Sequence, residues 1–191
     1  GSGKTIVAAL AACQAIEAGY QVAFMAPTEL LAEQHYNKLV SWLAPLGIKI
    51  AWLSGSQKKS ERQAHLSAAA SDAHLVVGTH ALFEDTVDFS KLGLVIIDEQ
   101  HRFGVAQRLA LRQKGNNPHQ LMMSATPIPR TLHMALVGVR DMSTIKTPPE
   151  DRLPIKTYIA EYDDRLVREA ILKEMERNGQ VFFVHNRVQS I

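Results

Sequence analysis

The stretch Leu94-Val95-Ile96-Ile97-Asp98-Glu99-Gln100-His101 constrains this chain more than any other. Four branched apolar residues in a row read as a strand buried on both faces, which is the parallel-sheet pattern and predicts an α/β fold. Asp98 and Glu99 then fall where the strand leaves the sheet, and in open α/β folds ligands bind outside the carboxyl ends of the strands. Adjacent carboxylates repel, so a cation is expected beside them. Magnesium suits the place, because it takes oxygen ligands and the phosphates of a substrate. Taken alone, the stretch reads equally as a strand followed by a polar turn. The opening residues, Gly1-Ser2-Gly3-Lys4-Thr5, separate the two readings.

Those five residues match the second half of the phosphate-binding pattern G-x-x-x-x-G-K-[ST]. In that pattern the backbone N–H groups of Gly1, Ser2 and Gly3 wrap a phosphate, Lys4 reaches the outer phosphates and the Thr5 hydroxyl ligates magnesium. The competing reading is a flexible Gly-Ser terminus. A helix is predicted at once, over residues 6–18 with Gly19 as its cap, and a helix N-terminus adds a favourable field for anions. The chain has no initiator Met and opens inside the motif, so it is expected to be a piece of a longer protein. The strand that should precede the loop would then leave a gap in the sheet.

Strand, loop and helix alternate along the rest. Residues 21–26 read as a strand, and Thr28 as the N-cap of a helix from Glu29 whose apolar face is Leu30, Leu31, Leu39, Val40 and Leu43, closed by Gly47. Thr28 could also hold a nucleic-acid phosphate, but position alone favours the cap. Residues 48–53 form a strand ending at Ser54-Gly55-Ser56. Lys58, Lys59 and Arg62 open the next helix, which runs to about residue 70. A basic first turn opposes the helix dipole, so these charges serve either an anion or a solvated face. Residues 74–77 are a strand ending at Gly78-Thr79-His80, where His80 reads as a polar loop residue with no Cys or His spaced for zinc.

After the carboxylate strand come Arg102-Phe103-Gly104-Val105 and a helix with Gln107, Arg108, Arg112 and Lys114. Phe103 suits contact with a base or a neighbouring domain, or packing under its loop. Residues 120–123 read as a strand ending at Ser124-Ala125-Thr126-Pro127. The helix begun by Pro129 carries Met134 and Leu136 toward a core. Residues 142–146 read as a strand, 147–152 as a stiff polar linker, and 155–159 as a strand. An amphipathic helix over 163–178 turns Leu166, Val167, Ile171 and Met175 inward, with Gly179 as cap, and 181–184 form a buried strand. This tail is one β-α-β unit, too little for a core of its own.

Composition narrows the classes without choosing among them. The chain has 191 residues, 46% hydrophobic and 21% charged, which is globular material with room for one core or one core plus a fragment. A formal net charge of +2 permits a polyanionic partner but does not argue for one. Cys13 is the single cysteine, so no internal disulfide can form and a reducing compartment fits. In its Ala-rich helix it reads as a small hydrophobe rather than a nucleophile. No signal peptide and no membrane-spanning apolar run is present.

The succession GSGKT, APTELLAEQH, LSGS, VVGTHALF, VIIDEQHRFGV and SATPIPRTL resembles the first motor domain of superfamily-two helicases. Within them the chain looks like the RecG-type branched-DNA helicases up to about Thr126. From His133 onward it looks more like the Mfd-type transcription-repair coupling factors. The resemblance implies a RecA-like P-loop NTPase domain over 1–146, incomplete at its N-terminus, a linker over 147–152, and the beginning of a second RecA-like domain over 153–191.

It further implies ATP and Mg2+ as cofactors, the ATP bound by Gly1, Ser2, Gly3, Lys4 and Thr5, with magnesium on Thr5 and Asp98. Glu99 would orient and deprotonate the attacking water, and Gln100 and His101 would sense the γ-phosphate. Thr28, Gly55, Thr79 and His80 would track DNA by its phosphates without reading sequence. Ser124 and Thr126, with the loop that holds Arg102 and Phe103, would couple nucleotide state to strand movement. The implied function is an ATP-dependent DNA helicase or translocase of repair and recombination in the bacterial cytoplasm, with branched or double-stranded DNA as partner and no membrane. RNA polymerase is a partner only on the Mfd-type alternative. A P-loop regulator with no nucleic-acid role is the alternative from another class.

Overall fold

The computed structural model describes residues 2–55, 57, 59–99, 114–115, 117–125, 141–147 and 155–184. The chain divides into two compact units, Gly1–Glu150 and Asp151–Ile191.

The first unit is a five-stranded parallel sheet of β1 (Gln21–Met25), β2 (Ile50–Leu53), β3 (Leu75–Gly78), β4 (Leu92–Ile97) and β5 (His119–Met122), in the order β2-β3-β1-β4-β5. Helices α1 (Lys4–Glu17), α2 (Glu29–Leu43) and α3 (Lys59–Ser71) connect and cover it. Strand alternation splits the core in two. Val22, Phe24, Leu75, Val77, Leu94 and Ile96 face α1 and α2, where they meet Ala8, Ala12, Leu39 and Leu43. Ala23, Met25, Val76, Val95 and Ile97 face the other way, with Ala69 and Ala73 among their neighbours. The apolar run 94–97 is therefore buried on both faces because helices cover both.

Local signals fix the helix ends. Gly19 takes a φ of 79°, and the Gly19 and Tyr20 N–H groups donate to Ile16 O and Ala15 O, a Schellman closure of α1. Thr28 caps α2 by accepting the Leu31 N–H at 3.3 Å. The buried stripe of α2 is Ala32, Leu39 and Leu43, while Leu30 stays exposed, since a helix can turn only one stripe inward. Gly78 ends β3 where the backbones crowd: a Cβ there would lie 2.2 Å from Leu53 O.

Several expectations are corrected. The gap expected in the middle of the sheet is not there among the described residues, whose strands pair without a break from β2 to β5. Unpaired strand edges are costly, and β3, β1 and β4 each pair with a neighbour on both sides. Residues 142–146, 155–159 and 181–184 are not strands but irregular and exposed, and Ile159 is 99% exposed. A strand exists only through a neighbour's ladder, and none of these segments has one among the described residues. In the second unit α4 (Asp164–Glu176) is capped by Asp163, which accepts the Arg165 N–H at 2.8 Å. Its apolar face is not turned inward, with Leu166 and Met175 exposed and Val167 and Ile171 only half-buried. Asn178, at φ 57°, takes the left-handed capping position expected of Gly179. The helices expected after Glu99 and after Thr126 lie outside the described residues, as do Met134 and Leu136.

Candidate active site

The carboxyl ends of β1, β3 and β4 come to one edge of the sheet, and a cleft of about 280 Å³ opens there. Ser2, Gly3, Lys4 and Thr5 line it together with Ile6, Lys38, Trp42, Asp98 and Glu99. Residues more than ninety positions apart meet because β4 delivers the carboxylates to the N-terminus of α1. Gly3 stands before α1 at φ 86° and no side chain caps the helix. First-turn N–H groups lack partners within a helix, and those of α1 border the cleft together with the Lys4 ammonium. An anion is the natural occupant.

Asp98 is buried and held on three sides. Its backbone N–H donates to Met25 O at 2.9 Å. Its Oδ1 accepts the Glu99 N–H at 3.0 Å, and its Oδ2 accepts from His35 Nε2 at 2.8 Å. Burial pushes the carboxyl up, but the hydrogen bond and charge of His35, the Glu99 N–H and the charge of Lys4 outweigh it and leave the group below the usual carboxylate range. Asp98 is thus ionised at neutral pH, can only accept, and requires His35 Nε2 to be the donor.

A depressed folded-state value has a definite sign in stability. Its contribution is complete above the unfolded value of about 3.9 and is lost as pH falls through the lower folded value. Asp98→Asn is therefore expected to flatten the acid limb of stability against pH below about 4, while wild type loses stability there. Urea melts from neutral pH to the acid limb measure it, and parallel curves for the two proteins would refute it.

Glu99 adopts φ 47°, a left-handed conformation uncommon for a residue with a side chain. That turn brings its carboxylate to the end of β5, where Ser124 Oγ donates to Oε2 at 3.1 Å and the Ala125 N–H to Oε1 at 3.3 Å. Ser124, expected to couple nucleotide state to movement, touches the expected base directly. Thr126, Gln100, His101, Arg102 and Phe103 lie outside the described residues, as does Gly1.

The residues expected at DNA gather on neighbouring loops. A Cβ on Gly55 would meet His80 Nε2 at 3.8 Å and Glu29 Oε1 at 3.9 Å, so the loops after β2 and β3 adjoin the start of α2. Thr28 is exposed, but its hydroxyl is engaged as the cap. Thr79 is 1% exposed and its Oγ1 has no hydrogen-bond partner among the described residues. Arg62 departs from both sequence readings: it donates to Ser54 O at 3.0 Å and pairs with Glu84 at 2.5 Å, bracing the loop after β2. Cys13 is half-buried, and burial followed by the charge of Glu17 pushes its thiol up, which keeps it protonated.

Sequence reasoning missed three residues of α2. His35 reaches Asp98, while Lys38 and Trp42 form the cleft wall opposite α1, with Lys38 Nζ 4.9 Å from the Trp42 ring centroid. Their spacing of three and seven places them on one helical stripe. Nothing local says that the stripe faces residue 98.

Magnesium binding needs only one or two carboxylates beside substrate phosphates and water. The Asp98 carboxylate and the residue Thr5, with its hydroxyl, on one cleft fit that need. A magnesium ion held there would neutralise phosphate charge. The chain's own groups do the rest: Lys4 and the α1 N–H groups can bind phosphates, and Glu99 can accept a proton from water.

A fold and site of this kind define a class. The sequence model of the DEAD/DEAH box helicase family matches residues 1–135, and the chain belongs to that family. Among curated proteins it is 50% identical to the ATP-dependent DNA helicase RecG of Borreliella burgdorferi over 192 residues, covering 100% of this chain and 28% of that protein. It is 58% identical to RecG of Escherichia coli (strain K12) over 162 residues, covering 82% of the chain and 23% of the relative. The transcription-repair-coupling factor of Bacillus subtilis (strain 168) is 46% identical over 100% of the chain and 16% of its own length. A solved structure of RecG bound to a three-way DNA junction superposes with a TM-score of 0.79 at 41% identity, covering 100% of this chain and 26% of that one. The chain thus spans about a quarter of the RecG relatives it matches.

Proposed function

We propose that this chain is the ATP-binding motor portion of a RecG-type DNA helicase or translocase that acts on branched DNA in repair and recombination. One observation carries the reading: Lys4, Thr5, Asp98 and Glu99 line a single cleft at the carboxyl edge of a parallel sheet. Ser2–Thr5 would hold the phosphates of ATP, Thr5 and Asp98 would hold Mg2+, which would neutralise phosphate charge there, and Glu99 would accept a proton from the water. Residues 1–146 are a first RecA-like domain and residues 153–191 open a second, a reading supported by the division of the chain at Glu150. The names of the RecG relatives support DNA as the partner, and their bacterial origin supports the bacterial cytoplasm. The Mfd-type reading, with RNA polymerase as a further partner, is favoured by the 46% identity over the whole chain to a coupling factor.

The test is phosphate release by the full-length natural protein with and without forked DNA. Release stimulated by DNA and abolished by Lys4→Ala is expected. Release indifferent to DNA would point instead to a nucleotide-binding regulator.

The DNA side is tested by Thr28→Ala and Thr79→Val. Loss of the α2 cap should lower stability by about 0.5–2 kcal/mol. Thr79→Val removes a buried hydroxyl that has no partner among the described residues and should leave stability unchanged or raise it. If Thr79 reaches a phosphate once its loop moves, Thr79→Val weakens DNA binding about equally for all sequences while ATP binding holds. A thermal melt and a DNA titration on the same samples separate these effects. Unchanged DNA affinity in Thr79→Val would remove that residue from the tracking surface.

A further inference from the structure

We propose that His35 is a positioning residue for Asp98, holding the carboxylate in the one orientation that lets it share a divalent cation with Thr5. The inference rests on the reading of the cleft as a magnesium-nucleotide site. Three observations carry it. First, the contact is specific and shielded: Nε2 donates to Oδ2 at 2.8 Å across 63 residues of sequence, with the two side chains only 13% and 12% exposed. Second, the imidazole is itself fixed. It leans on the fully buried Phe24 ring of β1, with centroids 4.8 Å apart and planes at 47°. His35 also rides on a helix whose start is pinned by the Thr28 cap. Third, the carboxylate's hydrogen bonds leave it usable. Oδ2 takes the His35 proton and Oδ1 takes the Glu99 N–H. An ionised carboxylate has about four lone-pair sites, so each oxygen keeps one for a cation or its water.

A carboxylate anchored by the Glu99 N–H alone could turn about its side-chain bonds. Two anchors on different oxygens stop that rotation. Outer partners of this kind commonly set how well a carboxylate or imidazole serves a metal. A contact that only stabilised the fold would be indifferent to magnesium, and this difference makes the inference testable.

The experiment is calorimetric titration of ADP into the full-length natural protein at increasing Mg2+, for wild type, His35→Ala, His35→Gln and Lys4→Ala. In wild type, magnesium is expected to tighten ADP with a defined half-maximal concentration. In His35→Ala that concentration should rise roughly 10–100-fold, while ADP affinity without magnesium stays within about twofold of wild type, the margin a change outside the phosphate contacts allows. His35→Gln, whose amide nitrogen can stand where Nε2 stands, should recover part of the loss. A wild-type magnesium dependence in His35→Ala would overturn the inference and leave the nucleotide site intact. Equal loss in both His35 variants, in step with a lower Tm and with weaker ADP binding in the absence of magnesium, would reduce His35 to a structural residue. Wild-type protein that binds no ADP, or binding untouched by Lys4→Ala, would overturn the nucleotide reading and this inference with it.

Discussion

Glu99→Gln in the full-length protein is expected to keep nucleotide binding and to lose turnover by roughly 10²–10⁴-fold, the usual contribution of a general base. The amide keeps the size of the side chain: its oxygen can accept the Ala125 N–H, which reaches Glu99 Oε1 at 3.3 Å, and its NH2 can donate to Ser124 Oγ, which in wild type donates to Oε2 at 3.1 Å. What it cannot do is take the water's proton. Single-turnover phosphate release and ADP titration on one sample measure the two halves of the expectation. Turnover within a few-fold of wild type would take Glu99 out of the chemistry.

The other large effect is expected when the 191-residue chain is assayed alone beside the full-length protein. Phosphoryl transfer depends on positive charge around the γ-phosphate, and an arginine finger contributes about 10³–10⁵-fold in rate. Among the described residues the cations lining the cleft are Lys4 and Lys38, with no arginine. The isolated chain should therefore release phosphate slower than the full-length protein by about the same factor of 10³–10⁵, with no stimulation by forked DNA. Robust DNA-dependent release from the isolated chain, abolished by Lys4→Ala, would show that its own cleft carries all the charge the reaction needs.

The sequence by itself determined much of what depends on neighbours along the chain. The run Leu94–Ile97 announces a doubly covered strand because alternation fails there, and Thr28 and Gly19 announce helix ends because their side chains, or the lack of one, satisfy particular backbone groups. Asp98 and Glu99 could be placed at an edge by strand length alone. Tertiary structure decided what depends on distant partners. Val181–Val184 has all the local character of a buried strand, yet it is irregular and exposed, since a strand is defined by the ladder beside it. Likewise the five strands pair in unbroken order, where the sequence implied a gap in the middle of the sheet. Thr79 looked like an accessible hydroxyl and is buried without a partner among the described residues, since burial is decided by what the rest of the chain lays over a position. His35 carries no motif at all. Its meeting with Asp98 depends on how α2 lies across the sheet, over β3 and with His35 against Phe24 of β1, a relation between residues 63 positions apart that no local pattern encodes.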